Sequence, residues 1–186
     1  WWSAYRKDFR RAIQNYEILR RKLDERLDQE RSQRGYGLTR ALSPEEMQEL
    51  LSTIPGHLQQ EETKLRLAVE AFVGSCPVRV GDVVSFPTWQ MHSLQHGVRV
   101  IEFQTPHYER MIVMFGQKVL TQDHWNTEEA LAGMKPEVYQ PPQPELIWQR
   151  DGVCCERVVN FPDFDAFRLS IPTGKRVQLE GKGNYQ

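Results

Sequence analysis

Val80-Gly81-Asp82-Val83-Val84-Ser85-Phe86-Pro87-Thr88-Trp89-Gln90-Met91-His92 is the stretch that decides how this chain is read. Gly81-Asp82 turns the backbone into a run of β-branched and aromatic residues, and Pro87 closes that run where no ladder donor is needed. A tight connection then delivers His92 to the start of the next extended run. A neutral imidazole presented rigidly at the mouth of a barrel is a ligand for zinc, iron, nickel or copper, because rigidity lowers the entropic cost of binding. The plainer alternative is a histidine hydrogen-bonded within a polar turn, and the residues leave both open.

Working outward, Val98 to Thr105 and Arg110 to Phe115 read as two further strands flanking Pro106-His107. Alternation from Val98 places Glu102 and Gln104 on one face with Val100, and Arg99, Ile101 and Phe103 on the other. If the first face looks into a barrel, Glu102 takes part in proton transfer or orients a ligand; otherwise it joins a surface salt bridge. Asn126-Thr127-Glu128-Glu129 reads as a capped helix start. Met134 to Pro144 holds four prolines and reads as a linker. New strands are expected over Arg157 to Phe161, Ala166 to Ile171 and Arg176 to Leu179.

Upstream the pattern is helical. Tyr5, Phe9, Ala12, Tyr16, Leu19, Leu23 and Leu27 recur every three or four residues among charged neighbours, which predicts a long amphipathic helix. Gly35-Tyr36-Gly37 ends it. Ser43-Pro44-Glu45-Glu46 starts another, with serine as N-cap, proline at the first position and Glu46 returning to the cap. Pro55-Gly56 separates this short helix from a third, marked by Leu58, Leu65, Ala68, Val69 and Phe72 and stopped at Gly74. The expected organisation is therefore a helical segment over 1–75, half of a β-barrel over 76–135, a proline-rich linker over 136–155 and the start of a further β unit over 156–186. The fold class is mixed α+β.

Composition narrows the partners. In 186 residues, 24 basic side chains oppose 25 acidic ones, so no net field favours nucleic acid or an anionic membrane. The basic residues of the first helix, Arg10, Arg11, Arg20, Arg21 and Lys22, are interleaved with Asp8, Glu17, Asp24, Glu25 and Asp28, as on a solvated face. Three cysteines, two of them the adjacent Cys154 and Cys155, form neither a disulfide framework nor a paired zinc-ligand spacing. No apolar run approaches the roughly 20 residues that span a bilayer. These features lead us to expect a cytoplasmic protein with a small-molecule partner. The opening Trp1-Trp2 and the close just after a strand-like run lead to the further expectation of a piece of a longer protein.

The spacing of Gly81, Pro87 and His92 resembles the second motif of the cupins: glycine, five residues, proline, one residue, usually glycine, two residues, histidine. Trp89 stands where glycine is usual, and His96 where asparagine is frequent. Among cupins the stretch is most similar to the mannose-6-phosphate isomerase type, through His92-Ser93-Leu94, the Glu-x-Gln of Glu102-Phe103-Gln104, and Tyr108-Glu109-Arg110, which has one residue inserted into a Tyr-Arg pair. The resemblance implies a jelly-roll barrel in a two-cupin parent and a zinc-dependent aldose-ketose isomerase acting on a sugar phosphate. It implies His92 as a metal ligand, Arg110 and Glu102 as catalytic groups, and Gln104, Tyr108 and His96 as substrate contacts, although His96 and His107 also read as polar loop residues. Of the glutamine, two histidines and glutamate that hold zinc in the family, only His92 is recognisable. The chain by itself is therefore expected to bind zinc poorly and to lack turnover. A non-catalytic sugar-binding cupin and a metal-dependent oxygenase of the same fold remain as alternatives.

Overall fold

A computed structural model describes residues 1–37, 39–95, 97–105, 110–114, 122–135 and 137–179. It is a mixed α/β arrangement of four helices and one three-stranded antiparallel sheet among those residues. The chain divides into two compact units, Trp1–Pro77 with Glu109–Pro136, and Val78–Tyr108 with Glu137–Gln186.

The first unit is built on α1 (Trp2–Gln33), α2 (Pro44–Ser52), α3 (Gly56–Glu70) and α4 (Thr127–Gly133). Phe9, Ile13, Tyr16, Leu19 and Leu23 fall on one stripe of α1, and all five are buried. Each contributes on the order of 1.5–3 kcal/mol by leaving water. Phe72, just beyond α3, stacks on Phe9 with ring centroids 5.2 Å apart, and its carbonyl accepts a 2.7 Å hydrogen bond from the Tyr5 hydroxyl. Leu19, Leu23 and Ile54 form a cluster extended by Leu27, Leu58 and Leu65. Leu131 of α4 is fully buried. A further polar contact lies within this apolar packing, where the Tyr16 hydroxyl donates to Glu62 at 2.8 Å. Burial and the Glu62 carboxylate push the Tyr16 phenol well above its ordinary range.

Local rules account for the ends of these helices. Ser43 accepts from the Glu46 N–H while the Glu46 carboxylate accepts from the Ser43 N–H, so the expected capping box is formed. The side-chain cap expected at Asn126 is not. Its side-chain oxygen instead accepts from the backbone of Ile112 at 3.0 Å and from Gln122 at 2.9 Å, tying the incoming loop to α4. A side-chain oxygen occupied by a loop amide is withdrawn from the helix N–H it would otherwise cap. The basic side chains of α1 pair with carboxylates, as in Arg10 with Glu128, Arg20 with Asp24 and Arg21 with Glu17.

The second unit holds β1 (Glu145–Arg150), β2 (Val153–Asn160) and β3 (Asp165–Ser170), paired in the order β1-β2-β3. Val153, Cys155 and Val158 of the central strand are buried. Both pairings slip by a residue, between Leu146 and Trp148 in β1 and between Arg157 and Val159 in β2, which bends the sheet at one end. β1 and the first residues of β2 lie inside the stretch expected to be linker. Its Leu-Ile-Trp run outweighs the preceding prolines, and Asp151-Gly152, both at positive φ, make the two-residue hairpin turn. Arg176 to Leu179 forms no strand.

Val78 to Phe86, Val98 to Thr105 and 110–114 form no strand either, contrary to the sequence-based expectation. The described residues therefore contain no closed jelly roll. A strand exists only through the partner that accepts and donates its backbone hydrogen bonds, and no described segment lies alongside these runs as a ladder. Several apolar side chains of the first two runs stay outside, with Val80 and Ile101 almost entirely exposed and Phe103 70% exposed, whereas Ile112 of the third is buried.

Candidate functional site

The turn that carries His92 is built by two tight bends. In the first, the Asp82 N–H donates to the Arg79 carbonyl at 3.0 Å and the Asp82 carboxylate accepts from the Arg79 N–H at 2.8 Å. Gly81 sits at φ 92°, the left-handed conformation that this third turn position requires and that favours glycine. The sheet holds this bend in place. Arg168 of β3, anchored on Glu156 by contacts of 3.0 and 2.9 Å, donates from its remaining nitrogen to the Gly81 carbonyl at 3.1 Å.

In the second bend the Gln90 N–H donates to the Pro87 carbonyl at 3.0 Å, and Trp89 occupies the third position at φ 69°. The left-handed backbone there gives the physical reason glycine suits this place, and Trp89 adopts it at a cost of about 1–2 kcal/mol. The second bend doubles the chain back, so Phe86 and His92 on either side of it stack nearly parallel, at 8° and 4.1 Å between ring centroids. Tyr139 lies against the Phe86 ring at 5.6 Å. The His92 Nδ1 is 2.9 Å from the Gln90 carbonyl, and His92 is exposed.

The other residues singled out from sequence are less concentrated. Glu102 and Gln104 lie in the same unit as His92, both exposed. Ile101 and Phe103, their neighbours on the alternate side, are exposed too, so no inner face is defined. Arg110 is exposed and belongs to the helical unit. His96 and Tyr108 lie outside the described residues, as does His107. Asp123 and His124 form an exposed pair at 2.9 Å ahead of α4, in which the hydrogen bond to His124 holds the Asp123 carboxyl below its usual range. All three cysteines are free, with Cys155 buried in the sheet.

Among the described residues no group of three His, Cys, Asp or Glu side chains stands together to hold a metal ion. Zinc takes about four donors, and His92 provides one, so the described residues do not by themselves fit that ion.

A separate concavity of about 300 Å3 opens at the bulged end of the sheet, where Ser85, Gln143 and Asn160 surround the Glu145–Arg157 pair and Phe161. Arg157 donates twice to one Glu145 oxygen, at 2.5 and 3.1 Å. None of the site residues singled out from sequence lines it. The arginine and glutamate stand twelve residues apart in sequence, and only the β1–β2 pairing brings them together. The Phe86 partner of His92 lay within the motif itself, whereas nothing in the sequence pointed to Tyr139.

No family model matches this chain, and neither a curated protein nor a solved structure matches it. Among the described residues no helix is long and apolar enough to cross a membrane.

Proposed function

We propose that the Gly81–His92 turn is one corner of the active site of a cupin-type, metal-dependent sugar-phosphate isomerase of the mannose-6-phosphate kind, working in the cytoplasm. The remaining corners come from residues other than those described. One observation carries this reading: the two-bend turn, with left-handed backbone at Gly81 and at the Trp89 position, presents an exposed imidazole whose second nitrogen is held by a backbone carbonyl. Ligating histidines are commonly oriented by such a second-nitrogen contact. In this reading Glu102 takes part in proton transfer and Gln104 contacts the sugar, both from the same unit as His92.

The test is interconversion of mannose 6-phosphate and fructose 6-phosphate by the longest natural protein that contains these residues, with and without chelator. Chelator-sensitive turnover that His92→Ala abolishes is the expected result. The 186-residue chain alone is expected to show neither stoichiometric zinc nor turnover, and a stoichiometric zinc site in it would contradict that. A second reading, a non-catalytic sugar-binding module, is favoured by the polar cleft around Glu145–Arg157, which no residue of the isomerase reading lines. Sugar binding without turnover in the longer protein would select it.

A further inference from the structure

We propose that Phe86 is a positioning residue: its ring and the Gln90 carbonyl together fix His92 in a single tautomer, with the proton on Nδ1 and the bare lone pair of Nε2 turned to solvent. This deepens the functional reading above and rests on His92 being the working group of the turn.

The hydrogen bond decides the proton's place. A carbonyl oxygen can only accept, so the 2.9 Å contact between His92 Nδ1 and the Gln90 carbonyl requires the proton to be on Nδ1. In the neutral ring Nε2 is then the unprotonated nitrogen, and the exposure of His92 leaves it accessible. Free histidine in water prefers the opposite tautomer, so the turn must hold the ring where the carbonyl can act on it.

The bond alone leaves the imidazole free to swing about its side-chain torsions, because Gln90 is only two residues away. The Phe86 ring removes that freedom. At 8° and 4.1 Å it covers one whole face of the imidazole, and it approaches from the other limb of the turn, six residues earlier in the chain. Tyr139, from a segment more than fifty residues downstream by number, lies against Phe86 and backs the stack. Trp89 at φ 69° is the bend that returns the chain so that the two rings meet. The combination makes Nε2 a preorganised electron-pair donor with its direction set before any ligand arrives.

The experiment is imidazole two-bond proton–nitrogen correlation on uniformly 15N-labelled chain at a pH where histidine is neutral. Wild type is expected to give a pyridine-type nitrogen at His92 Nε2 and a pyrrole-type nitrogen at Nδ1. Phe86→Tyr, which keeps the ring, should retain that pattern. Phe86→Leu should lower the ratio of the Nδ1–H to the Nε2–H form about fivefold, in line with the strength of one ring pair. Dispersed backbone amide resonances of β1–β3, which belong to the same unit as Phe86, report whether each variant is folded. A pyrrole-type Nε2 in wild type overturns the proposal, and so does an unchanged ratio in folded Phe86→Leu. If Phe86→Leu does not fold, the same measurement on Phe86→Tyr and wild type still decides, because loss of the pattern in the ring-preserving variant also overturns it. None of these readouts involves metal or turnover, so failure of the isomerase reading leaves them standing, and the reverse holds as well.

Discussion

Helix α1 and the stretch from Val78 to Thr105 are both rich in large apolar side chains, yet α1 buries its apolar stripe and the other stretch leaves most of its own exposed. The reason lies in the backbone. A helix satisfies its N–H and C=O groups within its own segment, so an amphipathic stripe needs only another apolar surface, which α3 and α4 provide. An extended run needs at least one neighbouring strand before its side chains acquire a sheet face to bury, and none of the described segments pairs with 78–105.

The largest test of this contrast is a pair of truncations. Phe9→Ala should destabilise its unit by about 3–5 kcal/mol in urea unfolding followed by helical circular dichroism, and Phe103→Ala its own unit by less than about 0.5 kcal/mol in urea unfolding followed by the amide resonances of β1–β3. Comparable losses would mean that Phe103 is covered in solution and that the contrast fails.

Tyr16→Phe probes the polar contact in the buried stripe. Removing a hydroxyl that donates to a carboxylate should cost about 2 kcal/mol. The pH dependence follows from the raised phenol pKa: the contribution is fully present below the unfolded tyrosine pKa of about 10 and is lost as pH rises toward the folded value. Wild type should therefore lose stability at alkaline pH more steeply than Tyr16→Phe, and parallel profiles would assign the effect elsewhere.

On the extended side, the bend at Gly81 is the feature expected to resist change. Gly81→Ala should cost about 1–2 kcal/mol, read as a lowered unfolding midpoint, because alanine must adopt φ 92° although open space surrounds the site. A neutral result would show that this bend is not held.

The smallest effect returns to the helices. Ser43→Ala should cost about 1 kcal/mol by removing the cap of α2. Acid should weaken the same box. Arg40 and the Ser43 N–H hold the Glu46 carboxyl below its ordinary range, so its support is present above the unfolded carboxylate pKa of about 4.3 and disappears as pH falls through the folded value. Ser43→Ala that melts as wild type does would remove the cap from the account of α2.

The legible parts of the fold were those governed by neighbours in sequence. Three- and four-residue spacing located α1 and α3, and Ser43-Pro44-x-Glu46 located the start of α2. β2 and β3 were anticipated close to where they form, while β1 was assigned to a linker because the prolines before it carried more weight than Leu146-Ile147-Trp148. The strands expected at Val78 and Val98 had the right composition and no partner. At the candidate site, Gly81, Pro87 and His92 stood out by spacing alone. The Glu145–Arg157 pair did not, since it depends on strand register.

By itself the sequence determined the helices of the first unit and the bend at Gly81, because caps, φ preferences and helical periodicity act within a few residues. Only the tertiary structure decided which β-prone runs became strands, that Tyr139 backs the Phe86–His92 stack, and that Arg168 holds the Gly81 bend. Each of these needs two segments far apart in the chain to meet, and no local preference encodes such a meeting.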